Sequence, residues 1–377
     1  MRMKDLKFLI ISGVFFTLTM SCAQTEKKVG PTLRTAYADD FYIGAALGWG
    51  QILEKDSAES TLIRNEFSSL TPENAMKWMY VHPKPDTFNF EYTDRLVAMA
   101  DRNDQFMVGH TLIWHNQTPE WVFRDEDNDL IDSTALFGRM KDHINAIMGR
   151  YQGKIGGYDV VNEALNDDGT FRESLFYQIG GVDFIYKAFE YAAMADPEAE
   201  LYYNDYSMNR AEKCDGAVQL AKAIKAKGLR IDGIGMQGHW GLDRPTLEEI
   251  ETSILKIGNA GLKVMITELD ITVLPNPRNV EGADLSASFE NNAEANPYKN
   301  GLPDSVQMAL AQRYADLFEL FHKHQDIITR VTLWGVHDGQ SWKNNWPARG
   351  RTDYPLLFDR SLAPKPAHQA VLGVVGK

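Results

Sequence analysis

"GGYDVVNEALNDDG" (residues 156–169) is the stretch that decides how the rest of the chain can be interpreted. Its apolar run over 158–161 stops at Asn162 and Glu163, and turn-forming residues follow at once. An amide left unpaired in a dry core costs about 2–7 kcal/mol, and a carboxylate costs more. The stretch therefore predicts a buried strand that opens into a solvated cleft, as parallel strands of α/β folds do at their carboxyl ends.

The same alternation of strand and helix signals continues on both sides of this stretch. Apolar β-type runs occupy residues 41–47, 67–74, 106–112, 158–161, 200–206, 231–239, 263–270 and 328–336. The segments between them have helical spacing, with apolar residues at every fourth position from Leu136 to Met148. Thr246 followed by Glu249 predicts a capping box at a helix start, and Gly228 predicts a helix end.

Strand followed by helix, repeated about eight times without a break in composition, predicts a closed (β/α)8 TIM barrel. An open doubly wound sheet is the alternative fold, but no glycine-rich fingerprint follows the first strand. We therefore expect one catalytic domain over residues 40–375. The segments 271–304 and 337–355 lack a clear period, and loops of that length are usually functional.

The composition excludes some classes of partner. The 377-residue chain is 44% hydrophobic, which is ample for a large core, and its formal net charge is −13. An acidic balance disfavours a nucleic-acid partner, because such proteins need a basic surface. The two cysteines, Cys22 and Cys214, form no disulfide framework, and neither they nor the histidines indicate a metal site. No interface signal indicates an oligomer, so we expect a monomer.

The N-terminus has the layout of an export signal. Basic residues precede the apolar run 8–20, which is too short to span a bilayer comfortably, and Cys22 follows a serine. Cys22 resembles the acylated cysteine of a bacterial lipoprotein, although Thr19 departs from that pattern and an ordinary signal peptide is the alternative. We expect a signal over 1–22, a short tether over 23–39, and a location in the periplasm or at the cell surface.

Polar and aromatic side chains concentrate where the predicted strands end. They are Glu73, Asn74, Lys77, His110, Trp114, Gln117, Asn162, Glu163, Asn204, Tyr206, Gln237, His239, Glu268, Asp270, Trp334 and Trp342. In a barrel these strand ends meet at one face, where reactive groups normally sit. Aromatic rings stack on the C–H faces of sugars while amides and charges bind their hydroxyls, so we expect a sugar-binding cleft.

Two of these carboxylates are placed to perform the hydrolysis of a glycosidic bond. Glu163 and Glu268 end the fourth and seventh strands, so they can face each other across the barrel mouth. Carboxyl groups about 5–5.5 Å apart hydrolyse a glycosidic bond with retention of configuration, and groups about 6.5–9.5 Å apart with inversion. An Asp270–His239–Glu268 hydrogen-bond chain would keep Glu268 ionised as a nucleophile. Glu163 follows an apolar strand, which would raise its pKa and suit a general acid.

Seven motifs closely resemble those of glycoside hydrolase family 10, whose best-known activity is endo-β-1,4-xylanase. They are "TPENAMKW" (71–78), "GHTLIWHNQ" (109–117), "DVVNEA" (159–164), "YNDY" (203–206), "GMQGHW" (235–240), "ITELD" (266–270) and "LWGVHDGQSW" (333–342). The resemblance covers residues 40–375. It implies a TIM barrel, a retaining mechanism, no metal or organic cofactor, and xylan and xylo-oligosaccharides as substrates.

The resemblance also implies roles for single residues. Glu163 becomes the acid/base, Glu268 the nucleophile, and Asn162 a partner of the sugar 2-hydroxyl. The resemblance implies that the subsite of the reacting sugar and the one beside it are lined by His110, Lys77, Gln237, Trp334 and Trp342. It places Glu73, Asn74 and Gln117 on the glycone side and Tyr206 on the leaving-group side. Asn204 is expected to help hold Glu163, and His239 and Asp270 to support Glu268.

Two other functions remain open at this stage. One is a related β-1,4-glycanase that prefers glucan, which would need room for a C6 hydroxymethyl group beside Trp342, Gln237 and Lys77. The other is a cell-surface glycan-binding protein on an inactive barrel, although both glutamates and the His239–Asp270 pair are intact. We expect loop 271–304 to set chain-length preference on the leaving-group side.

Overall fold

The computed structural model describes residues 30–276 and 288–375. The predicted signal, with Cys22, and the middle of the predicted loop 271–304 lie outside the described residues. Among the helices in the described ranges, none is long and apolar enough to cross a bilayer.

The strands form a closed parallel ring with one short addition. They are β1 (Tyr42–Leu47), β2 (Ser69–Pro72), β3 (Phe106–Trp114), β4 (Gly157–Asn162), β5 (Glu200–Asp205), β6 (Gly233–Met236), β7 (His239–Gly241), β8 (Lys263–Thr272) and β9 (Ile328–Leu333). Strands β1 to β6 pair in chain order, β6 pairs with β8, β8 with β9, and β9 closes the ring on β1. The predicted (β/α)8 TIM barrel is therefore confirmed.

Helices follow the strands on the outside of the ring. They are α1 (Leu33–Ala36), α2 (Trp49–Ile52), α3 (Ser57–Glu66), α4 (Trp78–Val81), α5 (Glu91–Arg102), α6 (Ser133–Arg150), α7 (Leu175–Gly180), α8 (Asp183–Ala195), α9 (Ala211–Ala226), α10 (Leu247–Asn259), α11 (Asp304–Lys323) and α12 (Pro366–Leu372). The capping box of Thr246 and Glu249 is present at α10, and Gly228 has a φ of +75° just after α9.

The sequence pattern matches the packing of the core. Leu136, Met140, Ile144 and Met148 form the apolar stripe of α6, and all four side chains are buried. Strand β4 is buried at every position, as expected for a parallel strand covered on both faces. At Gly109 a side chain would overlap the ring of Tyr158, so the glycine lets β3 and β4 pack closely.

Two predicted boundaries differ from the structure. The predicted strand 231–239 is split, because Gly238 adopts a φ of +84° between β6 and β7. This turn lets His239 pair with Asp270 of β8 instead of continuing the ring. Strand β8 also runs on to Thr272, because its last residues, Asp270 to Thr272, pair with β7.

Candidate active site

Glu163 lies at the point where β4 turns into its loop. Its backbone has a φ of +58°, a left-handed conformation that is uncommon for residues other than glycine. The Glu163 N–H donates to the carbonyl of Asn204 at 2.9 Å, and the Arg172 guanidinium donates to the Glu163 carbonyl at 3.1 Å. These two bonds hold the strained turn in place.

The Glu163 carboxylate is surrounded by neutral donors. Trp114 donates to Oε2 at 2.8 Å, Gln237 donates to Oε1 at 2.9 Å, and Asn162 donates to Oε1 at 3.2 Å. Burial raises the pKa of Glu163, and the charge of Asp205 raises it further, against the hydrogen bonds from Gln237 and Trp114. Glu163 is therefore suited to carry a proton.

Glu268, at β8, has cationic neighbours instead. Asn204 donates to Oε1 at 2.9 Å, and His239 Nε2 lies 3.2 Å from Oε2. Burial opposes ionisation of this carboxyl, but the hydrogen bond from His239 and the charges of His110, His239 and Lys77 lower the pKa of Glu268 below its usual value. Glu268 is therefore suited to act as an anion.

A series of contacts behind Glu268 maintains this charge. His239 Nδ1 lies 3.0 Å from Asp270 Oδ2, and the Trp342 indole donates to the same oxygen at 2.7 Å. Burial alone would lower the pKa of His239, but the charge and hydrogen bond of Asp270 raise it above the ordinary value. The Asp270–His239–Glu268 contacts expected from the sequence are thus present.

Two amides connect the carboxylates. Asn204 Nδ2 donates to Glu268 Oε1 and to Asn162 Oδ1, each at 2.9 Å, and Asn162 Nδ2 donates to Glu163. Thr267 fixes the remaining oxygen of the Asn204 amide with a bond of 2.6 Å. Asn204 therefore contacts Glu268 directly through its side chain, and it contacts Glu163 through its backbone carbonyl and, by way of Asn162, through its side chain.

The loop after β2 supplies a buried cation. Lys77 donates to Asn74 at 3.1 Å, and its ammonium group lies 4.8 Å from the ring centroid of Trp114. Burial lowers the pKa of Lys77, while the charges of Glu268, Glu73 and Glu163 act in the opposite direction. Burial likewise raises the pKa of Glu73. Lys77 is thus hydrogen-bonded to Asn74 and lies within the electrostatic influence of Glu73 and both central carboxylates.

The remaining predicted residues surround this centre. His110 contacts Asp159 at 2.8 Å and packs edge-on against Trp334, with ring centroids 5.3 Å apart. Trp342 stacks on Trp346 at 4.6 Å. Gln117 lies farther out, in the loop after β3, where its carbonyl accepts the N–H of Met79 at 2.9 Å.

Tyr206 lies beside Glu163 in a network that the sequence analysis left unassigned. Its hydroxyl accepts a bond of 2.7 Å from Arg172, and the ammonium of Lys213 lies 3.6 Å from its ring centroid. Lys213 forms a fully buried ion pair with Asp205 at 2.9 Å. The feature of the sequence that could have indicated this network is the position of Asp205 at a strand end. Asp159, which contacts His110, could have been noticed as a charged residue inside the apolar run 158–161.

A cavity of about 1340 Å³ borders the site at His239, and neither Glu163 nor Glu268 lines it. The cavity extends from His239 along β7 and past residues 272–276 to Tyr298, Trp346 and Arg351. Among residues 30–276 and 288–375, no group of three or more His, Cys, Asp or Glu side chains is arranged to hold a metal ion. Two buried carboxyl groups whose pKa values shift in opposite directions have the properties that acid-assisted substitution at a carbon centre requires.

Comparison with known proteins agrees with this geometry. The family model "Glycosyl hydrolase family 10" matches residues 32–374. Endo-1,4-beta-xylanase A of Xylanibacter ruminicola is 44% identical over 342 residues, covering 91% of this chain and 93% of that protein. Beta-1,4-xylanase of Dictyoglomus thermophilum is 39% identical over 363 residues, covering 95% and 96%.

A solved structure is also similar throughout. A family 10 endoxylanase retrieved from a sugarcane soil metagenome has a TM-score of 0.89 and 43% identity, covering 91% of this chain and 99% of that one. Family match, relatives and fold lead to the same assignment. The chain belongs to glycosyl hydrolase family 10, and it is a glycoside hydrolase.

Proposed function

We propose that the protein hydrolyses internal β-1,4-xylosidic linkages of xylan with retention of configuration, using Glu163 as acid/base and Glu268 as nucleophile. The single observation that supports this best is the pair of amides, Asn162 and Asn204, that connects the two carboxylates. They bind both carboxylates in one site, while their other neighbours favour a protonated Glu163 and an ionised Glu268.

In the first step the Glu268 carboxylate attacks the anomeric carbon, and Glu163 protonates the glycosidic oxygen as that bond breaks. The shorter chain leaves, and a covalent glycosyl–Glu268 intermediate remains. Trp114 and Gln237 orient the Glu163 carboxyl toward the leaving oxygen. His239 and Asn204 hold the Glu268 carboxylate.

In the second step Glu163, now ionised, removes a proton from a water molecule that attacks the anomeric carbon from the side the leaving group vacated. The bond to Glu268 breaks, the carboxylate is regenerated, and Glu163 is protonated again. Two inversions at one carbon give net retention. Asn162 is positioned beside Glu163 to bind the 2-hydroxyl of the reacting sugar.

Xylan as the substrate is supported by the relatives, whose names describe 1,4-β-xylanases. Trp334 and Trp342 offer aromatic surfaces to sugar rings, and Lys77, His110 and Gln237 offer hydrogen-bonding groups around them. Glu73, Asn74 and Gln117 bind the glycone side, and Tyr206 the leaving-group side. We further propose that the chain is exported by residues 1–22, with Cys22 as a lipid-anchor site.

The test is hydrolysis of soluble β-1,4-xylan by residues 23–377, followed over time by product size and by the anomer first released. Early appearance of a spread of short oligomers as β-anomers supports endo action with retention. Release of α-anomers contradicts the roles of Glu163 and Glu268. Faster cleavage of β-1,4-glucan than of xylan contradicts the substrate, and binding of xylan without cleavage contradicts an active enzyme.

A further inference from the structure

A second, smaller hollow lies beside the active site. It has a volume of about 320 Å³ and is lined by Trp49, Ala75, Tyr80, Asn89 and Tyr92. We call these five residues the aromatic hollow. None of them belongs to the set that surrounds Glu163 and Glu268.

The rings of the aromatic hollow form a braced cluster. Trp49 packs against Tyr92 with centroids 4.6 Å apart and against Tyr80 at 5.3 Å, both nearly perpendicular. Tyr80 is nevertheless 37% exposed, and its neighbour Met79 is 43% exposed. Single exposed apolar residues are common, but several aromatic rings gathered around one concavity indicate a binding surface.

Two residues of the aromatic hollow, Trp49 and Ala75, directly follow residues at the Glu73 end of the site. Trp49 follows Gly48, and a side-chain carbon added at Gly48 would lie 3.0 Å from the Glu73 carboxylate. Ala75, in the wall of the hollow, follows Asn74, which accepts the hydrogen bond from Lys77. A polymer that passes Glu73 and Asn74 as it leaves the reacting centre therefore reaches Trp49 next.

The chemistry of the aromatic hollow selects a neutral sugar. No charged side chain lines it, which disfavours anionic and cationic ligands. Its aromatic rings match the C–H faces of pyranose rings, and the Asn89 amide can hydrogen-bond a hydroxyl.

We propose that the aromatic hollow is a distal subsite that binds xylosyl residues at the glycone end of the chain, beyond those held by Glu73 and Asn74. This inference rests on the proposed function, because it takes xylan as the polymer in the cleft. Its effect is confined to long substrates, since a disaccharide bound at the carboxylates does not extend to Trp49.

The test compares the affinity of xylohexaose and xylobiose by titration calorimetry in a Glu268→Ala background, which prevents turnover. We expect Trp49→Ala to weaken xylohexaose binding about 2- to 10-fold, the range of one aromatic stacking contact, and to leave xylobiose unchanged. Tyr80→Ala, at an exposed position, is a second variant for the case that Trp49→Ala does not fold.

Tyr42→Ala is the matched control. Tyr42 is 45% exposed, stacks on Phe106 at 4.9 Å, and begins strand β1, whose other end leads to Trp49. The Tyr42→Ala variant therefore loses an exposed aromatic ring at the opposite end of the barrel. It should change neither the affinity for xylohexaose nor the affinity for xylobiose.

Equal xylohexaose affinity in the Trp49→Ala, Tyr80→Ala and Tyr42→Ala variants overturns the subsite, even if the unmodified protein degrades xylan. Conversely, a loss of xylohexaose affinity specific to Trp49 or Tyr80 supports the subsite even if the unmodified protein fails to cleave xylan. The second result would contradict the proposed function alone.

Discussion

Glu163 and Glu268 occupy equally dry positions, with 4% and 5% of their surfaces exposed, yet their pKa values shift in opposite directions. Burial raises the pKa of both carboxyls. Only Glu268 has enough positive charge nearby to reverse that effect, from His239, His110 and Lys77. Glu163 receives neutral hydrogen bonds and the negative field of Asp205. The neighbours, and not the degree of burial, therefore set the opposite directions of the two pKa shifts, on which the proposed roles rest.

The largest expected effect separates the two roles by leaving group. Glu268→Ala should reduce turnover by about 10⁴-fold or more on xylan and on 2,4-dinitrophenyl β-xylobioside alike, since the role proposed for Glu268, the nucleophile, is needed for both. Glu163→Ala should lose about 10²- to 10⁴-fold on xylan. It should still release dinitrophenolate in a rapid burst, because that leaving group needs no proton. A Glu163→Ala variant that gives no burst would contradict the assignment.

A prediction with a smaller effect tests the positively charged surroundings of Glu268. His239→Asn removes the group that keeps Glu268 ionised, and we expect turnover to fall about 10- to 100-fold, as for loss of a hydrogen bond to a charged group. The pKa of Glu268 should rise, so the acid limb of the pH–rate profile should move to higher pH. The control is His322→Asn, which loses a contact of 2.7 Å to Asp40 outside the cleft. Identical profiles for both variants would refute a role of His239 in setting the Glu268 charge.

The prediction with the smallest effect tests the negative charge of Asp205 near Glu163. Asp205→Asn, combined with Lys213→Met to avoid a buried unpaired ammonium, removes the negative field that favours the protonated form of Glu163. The pKa of Glu163 should fall, and because this carboxyl must be protonated to act as an acid, activity should be lost at lower pH on the alkaline side. The measurement is the alkaline limb of kcat/KM on xylan.

Asp167→Asn is the matched control for that limb. Asp167 also contacts Lys213, at 3.3 Å, but its side chain is 43% exposed and solvent screens its charge. An alkaline limb that moves equally in the Asp167 and Asp205 variants would show that the fold around Lys213, rather than the field at Glu163, is responsible.

The barrel could be predicted from the sequence because the spacing of apolar residues and the polar residues at strand ends are both visible in short stretches of the chain. The position of Glu163 after a buried run, and the Asp270–His239–Glu268 contacts, follow from the same reasoning. Side-chain partners across neighbouring strands could not be predicted. The register of β4 shifts against β3 between His110 and Ile113, and against β5 between Asp159 and Val161. Such shifts change which side chains face each other, as at Asn204.

Packing explains why the sequence did not reveal the positions of Lys213, Trp49 and Tyr80. Lys213 lies in the first turn of α9 and is fully buried against Asp205, where helical spacing alone predicts an ordinary solvated lysine. Trp49 and Tyr80 belong to helices of only four residues, too short for a periodic signal. Their convergence with Tyr92 depends on three separate segments meeting in space.

The left-handed backbone of Glu163 has a consequence for protein engineering. A residue with a side chain in this conformation costs about 1 kcal/mol or more, whereas glycine adopts it freely. Replacing Glu163 by glycine would relieve that strain and at the same time remove a carboxyl group whose ionisation burial opposes. A library screened for heat resistance alone would therefore enrich inactive proteins at this position, and hydrolysis has to be scored alongside melting temperature.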